Sequence, residues 1–241
     1  MATVKSPLVT FLVPSHKEGD LIRLTCETIL DRLKQENIDD FEIIVSDCNH
    51  EEDMGVEVGA ALMKKDSRIR YVRQNGCFGF GYHYSYGLKN ARGEYFMMVP
   101  GDNEIMGEAI TSILRARGKT DVIISYTSNT EVRPLSRRLI SRFYTALCNF
   151  LFGLNLKYYT GLSLIKTELL RPLLPLSSGF AYSTEIIVNL LKLQKSHTYV
   201  EVPMSIYPPI PGRKTAAFKL KNIWSVAKAL TRLTIKVRLG L

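Results

Sequence analysis

Short apolar segments typical of β-strands alternate with segments of helical periodicity along the first 130 residues. The strand-like segments are LVTFLV, FEIIVS, IRYVR, YFMMV and DVIISY. In the helical segment from Asp20 to Lys34, the apolar residues Ile22, Cys26, Ile29 and Leu33 recur on one face. Strands separated by helices predict an α/β fold with a mostly parallel sheet and helices on both of its faces.

The order of elements changes beyond residue 130. A long basic helix from Pro134, a strand in LSLIK, a helix in STEIIVNLLK and a strand in TYVEVP follow, and then the proline-rich YPPIPGRK. No repeat or low-complexity tract divides the chain. We therefore expect one domain over residues 1–241, with one half to about residue 130, a second half over 131–212 and a tail over 213–241.

The net charge of +9 is concentrated in the tail. No acidic residue follows Glu201, and the basic residues after it are Arg213, Lys214, Lys219, Lys221, Lys228, Arg232, Lys236 and Arg238. Apolar residues such as Phe218, Ile223 and Trp224 lie between them, a pattern that suits an anionic membrane surface. A helix packed on the domain with a solvated basic face is an equal alternative. Nucleic acid is not expected as a partner, because no recognised binding motif accompanies the charge.

Other features favour a cytoplasmic protein. No apolar run approaches the roughly 20 residues of a membrane-spanning helix, and the N-terminal segment shows no cleavable signal pattern. Cys26, Cys48, Cys77 and Cys148 lack metal-ligand spacing, so reduced thiols are expected. We expect a cytoplasmic protein that attaches peripherally to the cytoplasmic face of a membrane.

Four polar stretches come at or near the ends of predicted strands. They are VPSHKE (13–18), SDCNHEED (46–53), the glycine-spaced NGCFGFGYHYSYGLKNARGEY (75–95) and VPGDNE (99–104). A hairpin turn would account for VPGDNE by itself. In a parallel sheet, however, the carboxyl ends of the strands share an edge, and α/β proteins bind their ligands there.

The order and spacing of these stretches resemble family 2 glycosyltransferases of the GT-A fold, most closely the dolichyl-phosphate mannose synthase branch. The resemblance continues through RPLSRRLISR (133–142), TGLSLIK (160–166), GFAYSTEIIV (179–188) and VEVPMSIYPPIPGRK (200–214), and so covers nearly the whole chain. It implies an inverting enzyme that moves a sugar from a GDP- or UDP-sugar to a polyprenyl phosphate. The half before residue 131 would then bind the nucleotide sugar, and the second half would bind the acceptor.

The resemblance also implies a divalent cation, Mg²⁺ or Mn²⁺, held by an Asp-x-Asp motif. Such an ion neutralises the diphosphate leaving group. The motif corresponds here to Pro100, Gly101 and Asp102, so the first carboxylate is missing. A further oxygen ligand is implied at Glu104, and we expect Asp102 and Glu104 to hold the metal. The alternative is that Asp102 caps the following helix.

Contacts to the nucleotide are implied for residues at the first two strand ends. Glu18 and Asp47 match family positions that contact the base and ribose, and Pro14 would shape the turn after the first strand. His16 lies beside Glu18, where it could contact the nucleotide. His83 shares no metal or triad spacing with other residues, so a structural role is expected for it.

Basic residues indicate where an anionic acceptor would bind. The arginines at the start of the long helix are Arg133, Arg137, Arg138 and Arg142. Arg138 and Arg142 share a helix face, and arginine binds phosphate through bidentate hydrogen bonds. Arg213 and Lys214 would replace a late basic pair of the family. The alternative is a solvated basic helix face.

Two other functions stay open, and a third is disfavoured. A glycan hydroxyl acceptor would require a general base, and Glu185, at the position of a family acid, is the candidate. An inactive glycosyltransferase-like subunit of an oligomer is compatible with Pro100 in the metal motif. A dinucleotide-binding fingerprint is disfavoured, because Gly76, Gly79 and Gly81 follow the third strand rather than the first.

Overall fold

The computed structural model describes residues 7–48, 54–76, 78–194, 197–210 and 220–240. The strands are β1 Val9–Ser15, β2 Phe41–Cys48, β3 Ile69–Gln74, β4 Tyr95–Met98, β5 Val122–Thr127, β6 Ser163–Lys166 and β7 Tyr199–Met204. They form one sheet in the order β3-β2-β1-β4-β6-β5-β7, which joins strands from both halves of the chain. All seven predicted strands are present.

Helices connect the strands. They are α1 Leu21–Gln35, α2 Gly55–Lys65, α3 Phe80–Asn90, α4 Gly107–Ala116, α5 Leu135–Phe152, α6 Thr167–Leu170, α7 Tyr182–Val188 and α8 Leu220–Leu239. A π-helical segment, Asn189–Leu193, continues α7. The predicted helix in STEIIVNLLK therefore exists but changes its hydrogen-bond spacing at Asn189.

The sheet is mostly parallel, as predicted. β1 pairs in parallel with β2 and β4, β2 with β3, and β5 with β7. β6 is antiparallel to both β4 and β5. Because two antiparallel pairings restore the original direction, the carboxyl ends of every strand except β6 lie at the same edge of the sheet.

Every residue of β1 and β2 is buried, which shows that both faces of the sheet are covered. Neighbouring residues of a strand point to opposite faces. Phe11 accordingly packs in a cluster with apolar residues of α1, α2 and α4, whereas Leu12 packs in a cluster with residues of α3, α5, α7 and α8. The sheet is thus enclosed by helices, and its edges are what remain for ligand binding.

The basic C-terminal helix α8 packs partly on the domain. Leu230 and Leu233 are buried in the second cluster, and Lys236 Nζ donates a hydrogen bond to Asn189 Oδ1 at 3.0 Å. The alternative of a helix packed on the domain is therefore correct for the face of α8 that carries Leu230 and Leu233. No helix within the described ranges combines the length and the apolar character needed to cross a membrane.

The expectation of four reduced thiols is wrong for one cysteine. Within the described ranges, Cys26 and Cys148 are free and buried, whereas Cys48 is disulfide-bonded. The spacing of cysteines in the sequence could not indicate this, because the pairing depends on which strand and loop ends the fold brings together.

Candidate active site

The ends of β1, β2 and β4 converge at the carboxyl edge. Ser15 is paired with Asp47 in the register of β1 and β2. The amide of Gly101 donates a hydrogen bond to the carbonyl of Pro14 at 3.0 Å. A side chain at position 101 would place its Cβ only 2.9 Å from that carbonyl oxygen, so the close approach requires glycine. The structure therefore brings the polar stretches that follow β1, β2 and β4 to one edge.

Asp47 is buried, with 1% of its surface exposed, at the end of β2. The hydroxyl of Tyr71 donates a hydrogen bond of 2.6 Å to Asp47 Oδ2. The other oxygen, Oδ1, has no hydrogen-bond partner among the residues that the structure describes. A buried acceptor without a partner costs about 1–3 kcal/mol or more. Asp47 therefore keeps one buried acceptor oxygen that no described residue satisfies.

A buried polar network lies behind Asp47, on the opposite face of β2. His83 Nδ1 and Ser46 Oγ are hydrogen-bonded at 2.8 Å. Gln74 Nε2 donates to Ser46 Oγ at 3.0 Å, and Tyr82 Oη donates to Gln74 Oε1 at 3.2 Å. Desolvation lowers the pKa of His83 to about 4, although the charge of Asp47 opposes the change. His83 is thus a neutral imidazole at pH 7.

The network was missed by sequence reasoning, which assigned His83 a structural role without a location. The one local signal was the alternation of β2, which points Ser46 and Asp47 to opposite faces. That alternation could not reveal that α3 places His83 against Ser46, 37 residues away in the chain.

His16 and Glu18 lie in the turn that connects β1 to α1, at the same edge. His16 is exposed and Glu18 is partly buried. The turn uses positive φ angles at Lys17 (61°) and Gly19 (52°), and the amide of Leu21 donates to the carbonyl of Glu18 at 3.1 Å. Both predicted nucleotide contacts therefore belong to a tight turn beside the strand ends.

Asp102 and Glu104 lie in a turn directly after β4. The amide of Glu104 donates to Asp102 Oδ1 at 3.2 Å. Asn103 between them has a φ of 53°, and its amide donates to Thr25 Oγ1 on α1 at 3.1 Å. α4 begins only at Gly107, with no side-chain cap from any described residue. The alternative in which Asp102 caps α4 is therefore wrong.

The donor set of this turn fits a divalent cation that is shared with a substrate. Mg²⁺ in phosphate-transfer sites is commonly held by one or two carboxylates together with phosphate oxygens. Asp102 and Glu104 supply two carboxylates within three residues, and Pro100 supplies none. In the part of the chain that the structure describes, no three acidic, histidine or cysteine side chains form a preformed metal cluster. The site would therefore depend on oxygens of the substrate.

A basic cavity adjoins the carboxylate turn. Its volume is about 320 Å³, and Arg137 Nη2 lies 4.0 Å from Glu104 Oε2. Arg133 Nη1 donates to Tyr158 Oη at 3.1 Å. Burial raises the pKa of Tyr158, but the charge of Arg133 and several hydrogen bonds outweigh burial and lower it. The cationic residues that line the cavity are Arg133, Arg137, Arg138, Arg142 and Lys157.

The cavity includes the two arginines predicted to bind phosphate. Lys157, which the sequence reasoning did not select, lies after the end of α5 and lines the same cavity. Nε of Arg133 and Nε of Arg138 are buried without a hydrogen-bond acceptor in the described residues. Hydroxyls of Ser141 and Tyr158 also line the wall. Such a set of donors can bind a phosphate group.

Glu185 lies on α7 and holds a neighbouring loop. Its Oε2 accepts a hydrogen bond of 2.8 Å from the amide of Ser177. The next residue in that loop, Ser178, accepts a hydrogen bond of 3.1 Å from the amide of Tyr82 on α3. Glu185 thus supports the loop that packs on the start of α3, and its predicted role as a base stays a prediction. Arg213 and Lys214 lie outside the described residues.

Residues 10–171 match the family described as Glycosyl transferase family 2. One relative is GalNAc(5)-diNAcBac-PP-undecaprenol beta-1,3-glucosyltransferase of Campylobacter jejuni. It is 29% identical over 110 residues, which make up 45% of this chain and 34% of that protein. The chain thus spans about a third of the length of the curated relatives that it matches.

Two solved structures share the fold. One is glucosyl-3-phosphoglycerate synthase from Mycobacterium tuberculosis in complex with uridine diphosphate, with a TM-score of 0.63, 16% identity, and coverage of 95% of this chain and 79% of that one. The other is a mannosyltransferase from Pyrobaculum calidifontis in complex with GDP-mannose and Mn²⁺, with a TM-score of 0.56, 15% identity, and coverage of 99% and 77%. The family match over residues 10–171 and the shared GT-A fold give one conclusion: the chain belongs to glycosyltransferase family 2.

Proposed function

We propose that the protein is an inverting glycosyltransferase that moves a sugar from a nucleoside diphosphate to a polyprenyl phosphate. The observation that carries the proposal is the cationic cavity beside the Asp102–Glu104 turn, joined to it by Arg137 and Glu104. The dolichyl-phosphate mannose synthase branch is the specific form of this proposal. The C. jejuni relative supports a polyprenyl-linked acceptor, because its name includes an undecaprenol-linked diphosphate, whereas the β-1,3 linkage in the same name favours the alternative of a glycan hydroxyl acceptor.

The donor would bind at the carboxyl edge of β1, β2 and β4. Asp47 Oδ1 would accept a hydrogen bond from the base, because this oxygen is buried without a partner among the described residues. Glu18, with His16 beside it, would contact the ribose or base from the β1–α1 turn. Asp102 and Glu104 would hold Mg²⁺ or Mn²⁺, which would supply positive charge to the diphosphate leaving group. These contacts orient the anomeric carbon for attack.

The acceptor phosphate would bind in the cationic cavity, with Arg138 and Arg142 as the predicted ligands and Arg213 and Lys214 as further predicted contacts. A phosphate oxygen attacks C1 of the sugar while the bond between C1 and the diphosphate oxygen breaks, and the nucleoside diphosphate leaves. The configuration at C1 is inverted by this single displacement. Because the attacking oxygen is already an anion, no proton has to be removed and no general base is required.

The surface of α5 and α8 supports a membrane location for this acceptor. On α5, Phe143 and Phe150 are 70% and 84% exposed, and Leu139 is also exposed. On α8, which contacts α5, Trp224 is 74% exposed. Exposed aromatic and aliphatic residues next to basic ones are typical of helices that lie in the interface of an anionic bilayer. We propose peripheral attachment to the cytoplasmic face of such a membrane.

A transfer assay tests the proposed function. The purified chain is incubated with GDP- and UDP-sugars, Mg²⁺ or Mn²⁺, and undecaprenyl phosphate in vesicles, and lipid-linked sugar is measured by mass spectrometry. The expected product is one sugar on the lipid phosphate, formed by the wild type and lost in Arg138→Gln/Arg142→Gln. Arg115→Gln, which removes an exposed arginine of α4, is the matched control.

Two outcomes would contradict the proposal. Transfer to a glycan hydroxyl but not to lipid phosphate would favour the alternative acceptor, with Glu185 as its base. Nucleotide binding without transfer on a broad panel of donors and acceptors would favour an inactive subunit.

A further inference from the structure

An exposed apolar stripe on α5 borders the cationic cavity. This α5 stripe consists of residues that are 54–84% exposed, namely Leu135, Leu139, Phe143 and Phe150. We propose that the α5 stripe binds the first isoprene units of the polyprenyl chain whose phosphate lies in the cavity. This inference rests on the proposed function, because it requires a lipid phosphate in that cavity.

Ala146 joins the cavity to the α5 stripe. It lines the cavity and is also exposed to solvent. At 3.6 residues per turn, Leu139 and Phe150 lie within about 40° of it around the helix axis, and Phe143 lies within about 60°. Arg142, which also lines the cavity and is exposed, lies about 40° from Ala146 on its other side. A ligand that leaves the cavity past Arg142 and Ala146 therefore meets the α5 stripe.

The class of ligand follows from the change in chemistry across this boundary. In a polyprenyl phosphate, the anionic phosphate is joined directly to an apolar, branched chain. The phosphate matches cations such as Arg138 and Arg142, whereas the chain gains free energy on an apolar surface. From Arg142 to Phe150 the helix rises about 12 Å, at 1.5 Å per residue. The stripe is thus long enough to bind a few isoprene units.

A second protein molecule is a less suitable occupant of the α5 stripe. α5 carries no acidic residue, and Arg138 and Arg142 lie beside the stripe. In a symmetric dimer the same surface of both molecules meets, so these arginines would be brought toward their own copies. Like charges across an interface disfavour such a pairing. The lipid brings no positive charge, and its phosphate supplies a counter-charge for the arginines.

The test measures the binding of lipid phosphates in solution, without vesicles. Farnesyl phosphate and dimethylallyl phosphate share the phosphate and differ by two isoprene units. Isothermal titration calorimetry below the critical micelle concentration gives the Kd of each. A fully buried methylene group contributes about fourfold to affinity. Because the chain would lie on an open surface and be only partly buried, we expect farnesyl phosphate to bind at least about tenfold more tightly.

Leu139→Ser and Ile140→Ser form a matched pair of variants. Both residues are exposed aliphatic residues of α5, at 54% and 49%, but Ile140 lies about 120° from Ala146 around the helix axis. We expect Leu139→Ser and Phe143→Ser each to weaken the binding of farnesyl phosphate by about fivefold, the effect of about one buried methylene group. Neither should change the Kd for dimethylallyl phosphate. Ile140→Ser should change neither Kd.

Three outcomes would overturn the inference. Equal affinity for the two phosphates, together with transfer to undecaprenyl phosphate in vesicles, would leave the polyprenyl chain in the bilayer while the proposed function stands. Equal losses in Leu139→Ser and Ile140→Ser would indicate adsorption without a defined site. A dimer in analytical ultracentrifugation that Leu139→Ser dissociates would assign the stripe to a second protein molecule. If neither phosphate binds and no lipid phosphate is glycosylated, the proposed function fails and the inference fails with it.

Discussion

Arg137 of α5 and Glu104 of the turn after β4 form an ion pair at 4.0 Å, which joins the candidate metal turn to the cationic cavity. Both side chains are mostly buried, with 31% and 17% of their surfaces exposed. A donor diphosphate at the turn and an acceptor phosphate in the cavity would therefore lie on either side of one charge pair. The proposed donor and acceptor sites therefore adjoin each other at this ion pair.

Replacing Asp102 by Ala should abolish transfer and leave the fold intact. The carboxylate would hold the metal, and removing one electrostatic group at developing charge costs about 10²–10³-fold in rate. Its loss removes only a local turn bond to Glu104, so the melting temperature should change little. Asp31→Ala, an exposed aspartate of α1, is the control in the transfer assay. Wild-type turnover in folded Asp102→Ala would contradict the assignment.

Replacing Arg142 by Gln should raise the KM for polyprenyl phosphate and leave the Kd for the nucleoside diphosphate unchanged. Arg142 lines the cavity proposed for the acceptor, and losing a charge-assisted hydrogen bond costs about 1.5–3 kcal/mol, roughly ten- to a hundredfold in affinity. Steady-state kinetics at saturating donor and calorimetry of the nucleotide separate the two effects. A nucleotide Kd that weakens together with the KM would assign the arginine to the donor site.

Replacing Glu185 by Gln should leave the rate of transfer to a lipid phosphate and its pH profile unchanged. A phosphate nucleophile needs no general base, and the glutamine Oε1 can still accept the hydrogen bond from the Ser177 amide. The rate of transfer is measured from pH 5.5 to 9 for both proteins. Loss of a pH-dependent limb together with a large fall in kcat would identify Glu185 as a base and favour the hydroxyl acceptor.

His83 should make the folded state less stable as pH falls below 6.5. Its folded-state pKa is about 4, below the ordinary value of about 6.5, so the unfolded chain binds the extra proton between these values. The free energy of unfolding therefore falls as pH decreases through this window, by about 2 kcal/mol from pH 7 to pH 5. Urea unfolding of the wild type and His83→Asn measures the difference. If the free energy of unfolding depends on pH equally in the wild type and in His83→Asn, His83 does not cause the loss of stability.

Replacing Phe143 or Trp224 by Ser should weaken binding to anionic vesicles. These residues are exposed on α5 and α8, and basic residues near them attract anionic lipid by up to about 1 kcal/mol each, an attraction that salt screens. Co-sedimentation at low and high salt checks this, with Met63→Ser on α2 as the control. Point substitutions are preferable to deleting α8, because Leu230 and Leu233 of that helix are buried. Unchanged vesicle binding in both variants would assign these faces to another partner.

The order of strands and helices follows from the sequence alone. The helix predicted from Asp20 to Lys34 occupies Leu21–Gln35, and the strand predicted in YFMMV occupies Tyr95–Met98. Both assignments rest on periodicities that act within a few residues, 3.6 for a helix and 2 for a strand. The placement of Asp47 and Asp102 near one edge also follows, because strands joined by helical crossovers run in parallel.

Tertiary structure alone decided which side chains meet at that edge. Tyr71 and Asp47 are 24 residues apart and His83 and Ser46 are 37 apart, and each pair meets because the two elements that carry its residues pack against each other. The antiparallel placement of β6 and the partial burial of α8 also depend on tertiary packing. Such contacts depend on the summed burial of whole strands and helices, which no local pattern encodes. The sequence therefore determined where the site lies, and the packing of distant elements determined which atoms are available in it.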